Sequence, residues 1–316
     1  MDNILNDFLP DKIFDAHAHL YADFFKPNVN GFSENALYEN YNSDMKDLLL
    51  GREVHANFIP FPTKTCKDFL KIDEFIFDQT SKDASSVCEI TVTPYATYDE
   101  IKKRIKGKKF SGFKCYHTFK IAENTFNLGV GEYLTHDIMA LADELNKVIT
   151  IHFVKEDSLL DEENASFIKE NAKKYKNATF ILAHCGRAFA GRTAVEGAKK
   201  YRGLDNVWFD FSAICESPAI FSVIKSAGVE KCMFGTDYPI CNLKAKSVSY
   251  ADKFFWLYEK DFLSLGGNFP TYKLGKENLM AIREAFIMLD LKAKDVEKVF
   301  YKNAYELFKK ATEKTV

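Results

Sequence analysis

No stretch of this chain approaches the roughly 18 consecutive apolar residues that a membrane-spanning helix needs, so no obvious span is encoded. Charge of one sign is missing as well. With 43 Lys and Arg against 45 Asp and Glu, the formal net charge is -2, and no basic field is available to draw in nucleic acid or an anionic membrane. Cys-x-x-Cys spacing is also absent. The seven cysteines (Cys66, Cys88, Cys115, Cys185, Cys215, Cys232 and Cys241) are odd in number and scattered, which favours reduced thiols and a cytosolic address over a disulfide framework. The segment Met1 to Asp11 has three Asp residues and no basic stretch leading into a long apolar one, so it does not read as a signal peptide. Internal repeats and low-complexity linkers are missing too, and the expected partner is a small molecule, with a homo-oligomer left open.

What is present is a chain of 316 residues, 47% hydrophobic and 28% charged, which is ample for one large core. Eight short β-branched or aromatic runs recur along it: Lys12 to Ala16, Val54 to Ile59, Val87 to Val92, Phe110 to Tyr116, Val148 to Phe153, Thr179 to His184, Val207 to Phe211 and Cys232 to Gly235. Between them the apolar residues follow helical spacing. Asp161 can cap a helix through Tyr175 with Ala165, Ile168, Ala172 and Tyr175 on one face, and Val296, Val299, Phe300, Ala304, Leu307 and Phe308 make a similar stripe. Eight strands alternating with helices predict a parallel (β/α)8 TIM barrel, read as a single α/β domain over 1–316.

Two segments exceed an ordinary strand-to-helix connection: about 21–42, rich in Asn and aromatics, and about 239–290, containing Gly266-Gly267 and Pro270. Both follow predicted strands and are expected at the C-terminal mouth, where active-site loops sit. Within the second, Phe254, Phe255, Trp256 and Tyr258 suggest either an aromatic lid or a buried helix face. That segment is also long enough to reach a neighbouring subunit.

Candidate chemistry gathers at the strand ends. His17 and His19, in Asp15-Ala16-His17-Ala18-His19, end the first predicted strand, and on an extended chain positions i and i+2 point to one face about 7 Å apart. His152 ends the fifth run, His184 the sixth, and Asp237 follows the eighth in Gly235-Thr236-Asp237-Tyr238-Pro239. Each histidine alone is more often a hydrogen-bonded structural residue than a ligand, and Asp237 alone would serve as a turn residue. As five residues at one mouth they have the composition of a catalytic metal site, with nitrogen ligands, a carboxylate and room for water.

This series, His-x-His on the first strand, His on the fifth and sixth and Gly-Thr-Asp-Tyr-Pro on the eighth, resembles the amidohydrolase superfamily. More narrowly it resembles the amidohydrolase-related branch of small-molecule hydrolases, lactonases and metal-dependent decarboxylases. The resemblance runs from about Ile13 to Phe308, and the ending Phe300-Tyr301-Lys302-Asn303-Ala304 with Leu307-Phe308 looks like that branch's closing helix. It implies that His17, His19, His152 and Asp237 bind a divalent metal, most simply one Zn2+, with Mn2+ an option. It implies further that Asp237 moves a proton during water attack and that His184 polarises the substrate or binds a second metal.

Lys114, in Gly112-Phe113-Lys114-Cys115-Tyr116-His117, stands where some family members carry a carboxylated lysine bridging two metals, although single-metal members use a lysine there as a substrate or structural contact. His117, Arg187 and Tyr238 are further candidates for substrate contact. Cys115, Cys185 and Cys241 lie near the mouth, but no feature that would lower a thiol pKa can be read beside them, so they are expected as buried filler. His55 and His136 show no matching context.

The expected function is metal-dependent hydrolysis of an amide, lactone or ester in a small carboxylated compound, with non-oxidative decarboxylation of an aromatic or muconate-type acid as the alternative. A metal-dependent nuclease on a similar barrel fits less well. Such enzymes place a carboxylate where this chain has Lys114, and the acidic net charge disfavours a phosphodiester backbone. A catalytically silent barrel is disfavoured because all five expected site residues are present.

Overall fold

A computed structural model of the chain describes residues 1–29, 31–266 and 270–315. Asn30 and 267–269, including Gly267, fall within the two long mouth segments and lie outside the described residues. Eight parallel strands form one sheet in sequence order: β1 (Lys12–Leu20), β2 (Glu53–Pro60), β3 (Val87–Val92), β4 (Gly112–Cys115), β5 (Val148–Ile151), β6 (Thr179–Leu182), β7 (Val207–Asp210) and β8 (Cys232–Met233). Helices fill most crossovers, giving the (β/α)8 barrel. Closure is made beyond β8, where Ala16 N–H donates to Phe234 O, Asp237 N–H to His17 O and His19 N–H to Tyr238 O, at 2.7–2.9 Å.

Several strands are shorter than the apolar runs that encode them, and the difference positions the site. His152, His184 and Asp237 lie just past β5, β6 and β8, where the chain leaves the ladder and turns over the mouth. β1 instead runs on to Leu20 and carries a bulge: Asp15 pairs with Ala56 and Ala18 with Phe58, so β1 has one residue more than β2 across this interval. The His17 N–H, freed from the ladder, donates to Asp15 Oδ1 at 3.0 Å.

The opposite end of the barrel is plugged. The C-terminal helical stretch Ala293–Ala311, with a π turn at Lys298–Lys302, lays Ala304, Phe308 and Ala311 against Phe14, Val87, Val148, Ile181 and Met233 from the strands. Lys147, fully buried, fastens it by donating to the carbonyls of Phe110, Ala311 and Lys314 at 2.5–2.9 Å. Around the barrel, Asp161 caps the helix Glu162–Lys174 by accepting from Asn164 N–H, as its sequence predicts.

The aromatic cluster after Asp237 is neither a helix face nor a simple loop. Strands β9 (Ala245–Tyr250) and β10 (Lys253–Tyr258) form an antiparallel hairpin. The alternation of Phe254, Phe255 and Trp256 is a strand period: Phe254 and Trp256 turn to Phe189 in the loop after β6, while Phe255 is exposed. Among the described residues, no helix is long and apolar enough to cross a membrane.

Candidate metal centre

The bulge in β1 brings both of its histidines onto one point. His17 Nε2 and His19 Nε2 stand 3.1 Å apart, and Asp237 Oδ1 lies 3.9 Å from the first and 3.5 Å from the second. Tetrahedral ligands held 2.0–2.1 Å from zinc stand roughly 3.3 Å from one another, so this spacing is that of a ligand cage. His184 belongs to the same cluster, with one ligand atom each of His17, His184 and Asp237 within 4.8 Å of the others. The His152 ring lies edge-on to that of His184 at 5.1 Å. Its Nδ1 is shut off from solvent and has no hydrogen-bond partner among the described residues. The donor set fits a divalent metal.

Backbone strain concentrates here. His184, Cys185, Gly186 and Arg187 have φ of 53°, 53°, 63° and 61°, a left-handed turn closed by Arg187 N–H to Ala183 O and Ala188 N–H to His184 O, both at 3.2 Å. Three non-glycine residues in that conformation cost about 1–2 kcal/mol each. Asp237, at 58°, shares the strain, and such conformations persist mainly where function holds them. Gly235 permits the close approach of the segment after β8 to β1, since a Cβ there would lie 3.0 Å from His17 Cβ and 3.2 Å from Ser212 Cβ.

Behind the cluster is a buried polar layer that the motifs do not reveal. Asp210, at the end of β7, accepts from His17 Nδ1–H at 3.0 Å through one oxygen. Through the other it accepts from the backbone N–H groups of His184 and Ser212 at 3.0 and 3.1 Å, and from the Ser212 hydroxyl. His19 Nδ1–H donates to Ile59 O at 3.3 Å and His184 Nδ1–H to Ser212 O at 3.1 Å. These contacts fix the tautomers, leaving each Nε2 to face the cluster. Asp15 accepts from the Thr236 N–H and hydroxyl at 2.9 and 2.5 Å, locking the turn that presents Asp237. A carboxylate inside an otherwise apolar strand run, as in Val207-Trp208-Phe209-Asp210-Phe211, is the sequence signal that could have found Asp210.

The electrostatics suit metal binding. Burial pushes His17 down to about 3, helped by the Lys114 charge, and burial also depresses His19 and His152. The imidazoles therefore stay neutral, as ligands must be. Burial raises Asp237, but attraction to His184, the largest opposing influence, leaves the carboxylate below its ordinary range. Asp15, with no cation beside it among the described residues, is pushed up to about 7 by burial.

The remaining candidates divide. Lys114 is fully buried with Nζ 3.1 Å from His17 Nε2, and Tyr116 OH lies 3.2 Å from His19 Nε2. Below Lys114, Glu89 accepts from Asn57 and Thr150, both at 2.7 Å, and burial raises it to about 7. His117 stacks on His152 at 5.9 Å, with Nδ1 bound to Thr125. Arg187 sits at the mouth over Phe254. Tyr238 is buried with its ring edge-on to Tyr41 at 5.3 Å. The thiols of Cys115, Cys185 and Cys241 are buried and pushed up, as expected of filler. His55 pairs with Asp83 far from this cluster.

An amidohydrolase family model matches residues 14–310. No curated protein matches the sequence. Among solved structures, an amidohydrolase from Burkholderia multivorans is 12% identical with a TM-score of 0.62, covering 94% of this chain and 99% of its own. Another crystal form of that protein, with a TM-score of 0.61, has bound zinc. A probable 2-pyrone-4,6-dicarboxylic acid hydrolase from Acinetobacter baumannii is also 12% identical, with a TM-score of 0.59 and coverage of 94% and 99%. The 5-carboxyvanillate decarboxylase from Sphingomonas paucimobilis is 12% identical, with a TM-score of 0.55 and coverage of 95% and 99%. At this identity the likeness speaks for the fold.

Proposed function

Because the chain belongs to the amidohydrolase family, we propose that it is a metal-dependent hydrolase that opens an amide, lactone or ester bond in a small carboxylated compound. The observation that carries this reading is the convergence of His17 Nε2, His19 Nε2 and Asp237 Oδ1 within 3.1–3.9 Å, with His184 on the same cluster. His17, His19, His152 and Asp237 would hold one divalent ion. Zinc is the first choice, since the donors are nitrogen and carboxylate oxygen and the Burkholderia protein carries zinc; manganese is the second. Bound there, such an ion supplies a Lewis acid that lowers the pKa of water to about 7.

The side chains then divide the work. Asp237, ionised in the resting site, accepts the proton of the attacking water and returns it to the leaving group. His184, oriented by Ser212 and by Asp210 at its backbone, would stabilise the substrate oxygen as charge develops on it through an Nε2–H of its imidazolium form, Nδ1–H staying on Ser212 O. Asp15 and Thr236 hold Asp237 in its turn, so little reorganisation accompanies the proton transfer.

Decarboxylation of an aromatic acid is the second reading. It is favoured by the wall of Phe189, Phe254 and Trp256 beside His184, which suits a planar ring, and by the likeness to a carboxyvanillate decarboxylase. The test is a panel of lactones, amides, esters and aromatic carboxylates offered to zinc-loaded and chelator-stripped protein, with acid and carbon dioxide release read separately. Metal-dependent acid release is expected. Carbon dioxide release selects the second reading, and a chain that binds no metal and turns over nothing overturns both.

A further inference from the structure

Among the described residues, Arg187 is a partly buried cation without a counter-ion. Among the described residues its one hydrogen bond runs from Nη1 to the carbonyl of Val154 at 2.7 Å and no acidic neighbour offsets the burial that depresses its ionisation. The chain treats another sheltered guanidinium differently: Arg104 is paired through Nε and Nη2 with both oxygens of Asp73, at 2.7 and 2.8 Å. Removing a guanidinium from water without an anion is costly unless something else supplies the anion.

The surroundings show where that anion would enter. The Arg187 guanidinium lies 5.8 Å from the ring centre of Phe126 and 5.1 Å from that of Phe254. Each ring leads back to the candidate metal centre. Phe126 packs on His117 at 4.8 Å, and His117 stacks on His152 at 5.9 Å. On the other side Phe254 packs on Phe189 at 4.7 Å, and Phe189 stacks on His184 at 5.8 Å. The guanidinium thus joins two aromatic walls that flank the cluster. It is also held firmly, because Arg187 closes the same strained left-handed turn that begins at His184.

We propose that Arg187, framed by Phe126 and Phe254, is the anion-binding arm of the site and takes the carboxylate of a planar, conjugated or aromatic substrate. Four of its five N–H donors are left for a ligand, enough for a bidentate pair with a carboxylate. A carboxylate paired edge-on continues the guanidinium plane, so a conjugated group attached to it extends along the same aromatic faces, which favour a flat π-system over a puckered aliphatic one. This inference rests on the reading of the histidine and aspartate cluster as the reacting centre, and it makes the hairpin β9–β10, through Phe254, a selectivity element.

The test is binding to metal-stripped protein, so that no carboxylate is held by a metal. Benzoate, cyclohexanecarboxylate and benzamide are titrated against wild type, Arg187→Met, Arg187→Lys and Phe254→Leu, with melting temperature and zinc uptake measured for each. Wild type is expected to hold benzoate on the order of ten- to a hundredfold tighter than benzamide, the usual effect of a charged hydrogen bond. Arg187→Met should erase that difference and Arg187→Lys keep part of it, while Phe254→Leu should erase the preference for benzoate over cyclohexanecarboxylate. If Arg187→Met fails to fold, the comparison of Arg187→Lys with wild type carries the result. Equal benzoate affinity in wild type and the Arg187 variants, or no preference for benzoate over benzamide in wild type, overturns the proposal. Zinc uptake distinguishes the two readings: Arg187-dependent benzoate binding in a chain that takes no metal removes the hydrolase and keeps the anion arm, and metal uptake without Arg187-dependent binding does the reverse.

Discussion

Asp210 Oδ2 accepts from His17 Nδ1–H at 3.0 Å, with both side chains wholly buried. The same carboxylate, through its other oxygen, holds the backbone N–H of His184. One residue at the end of β7 therefore orients side chains from β1 and from the loop after β6. Such outer contacts usually change metal affinity by about 10–100-fold. Asp210→Asn should lower zinc affinity by that amount in a competition titration with a chromophoric chelator. Unaltered affinity would show that His17 is oriented without it.

Asp237 has two tasks in the proposed reaction, and its amide analogue separates fold from chemistry. Asp237→Asn keeps the shape but loses the ability to accept a proton. The far-UV spectrum and melting temperature should change little, while kcat falls by roughly 10²–10⁴, the usual range for a general base. Near-full turnover would rule out the proton-transfer role.

The plug at the closed end of the barrel depends on Lys147, whose ammonium satisfies three backbone carbonyls. Lys147→Met leaves those acceptors without their donor, at a cost of about 1–3 kcal/mol for each that water does not reach. Denaturant unfolding should show a clear drop in midpoint, and the last turn of the C-terminal helix should become more susceptible to carboxypeptidase. An unchanged midpoint would show that apolar packing alone holds the plug.

His55 gives a pH signature remote from the candidate metal centre. Its hydrogen bond to Asp83 raises it above the ordinary 6.5, although partial burial opposes the rise. A base raised on folding contributes stability that is fully present below its unfolded pKa and is lost as pH rises through the folded one. The advantage of wild type over His55→Gln should therefore be larger at pH 5.5 than at pH 9, by up to about 1 kcal/mol for a partly exposed pair. Thermal melts at the two pH values measure it, and a gap that widens with pH would contradict the assignment.

The barrel was legible because strands buried between helices and a packed interior read as short apolar runs, and helices as 3.6-period stripes. The five strand-end residues were legible for a related reason: His or Asp directly after an apolar run stands out against it. The hairpin β9–β10 was harder, because aromatics in an unbroken series suit a strand or a helix equally until a partner is present. Asp210, Asp15, Glu89 and Asn57 escaped notice because each works through partners distant in sequence, as Asp210 with His17 and Asp15 with Thr236.

The chain by itself determined that eight strands and their helices alternate, since hydrophobic period is a local property, and which residues stand at the strand ends. Only the tertiary structure decided that a bulge in β1 turns His17 and His19 onto Asp237, that Asp210 bridges β1 and the turn at His184, and that Arg187 is left without a counter-ion among the described residues. Those outcomes depend on register, closure and burial, which arise when segments far apart in sequence exclude water together. No local pattern of residue types encodes them.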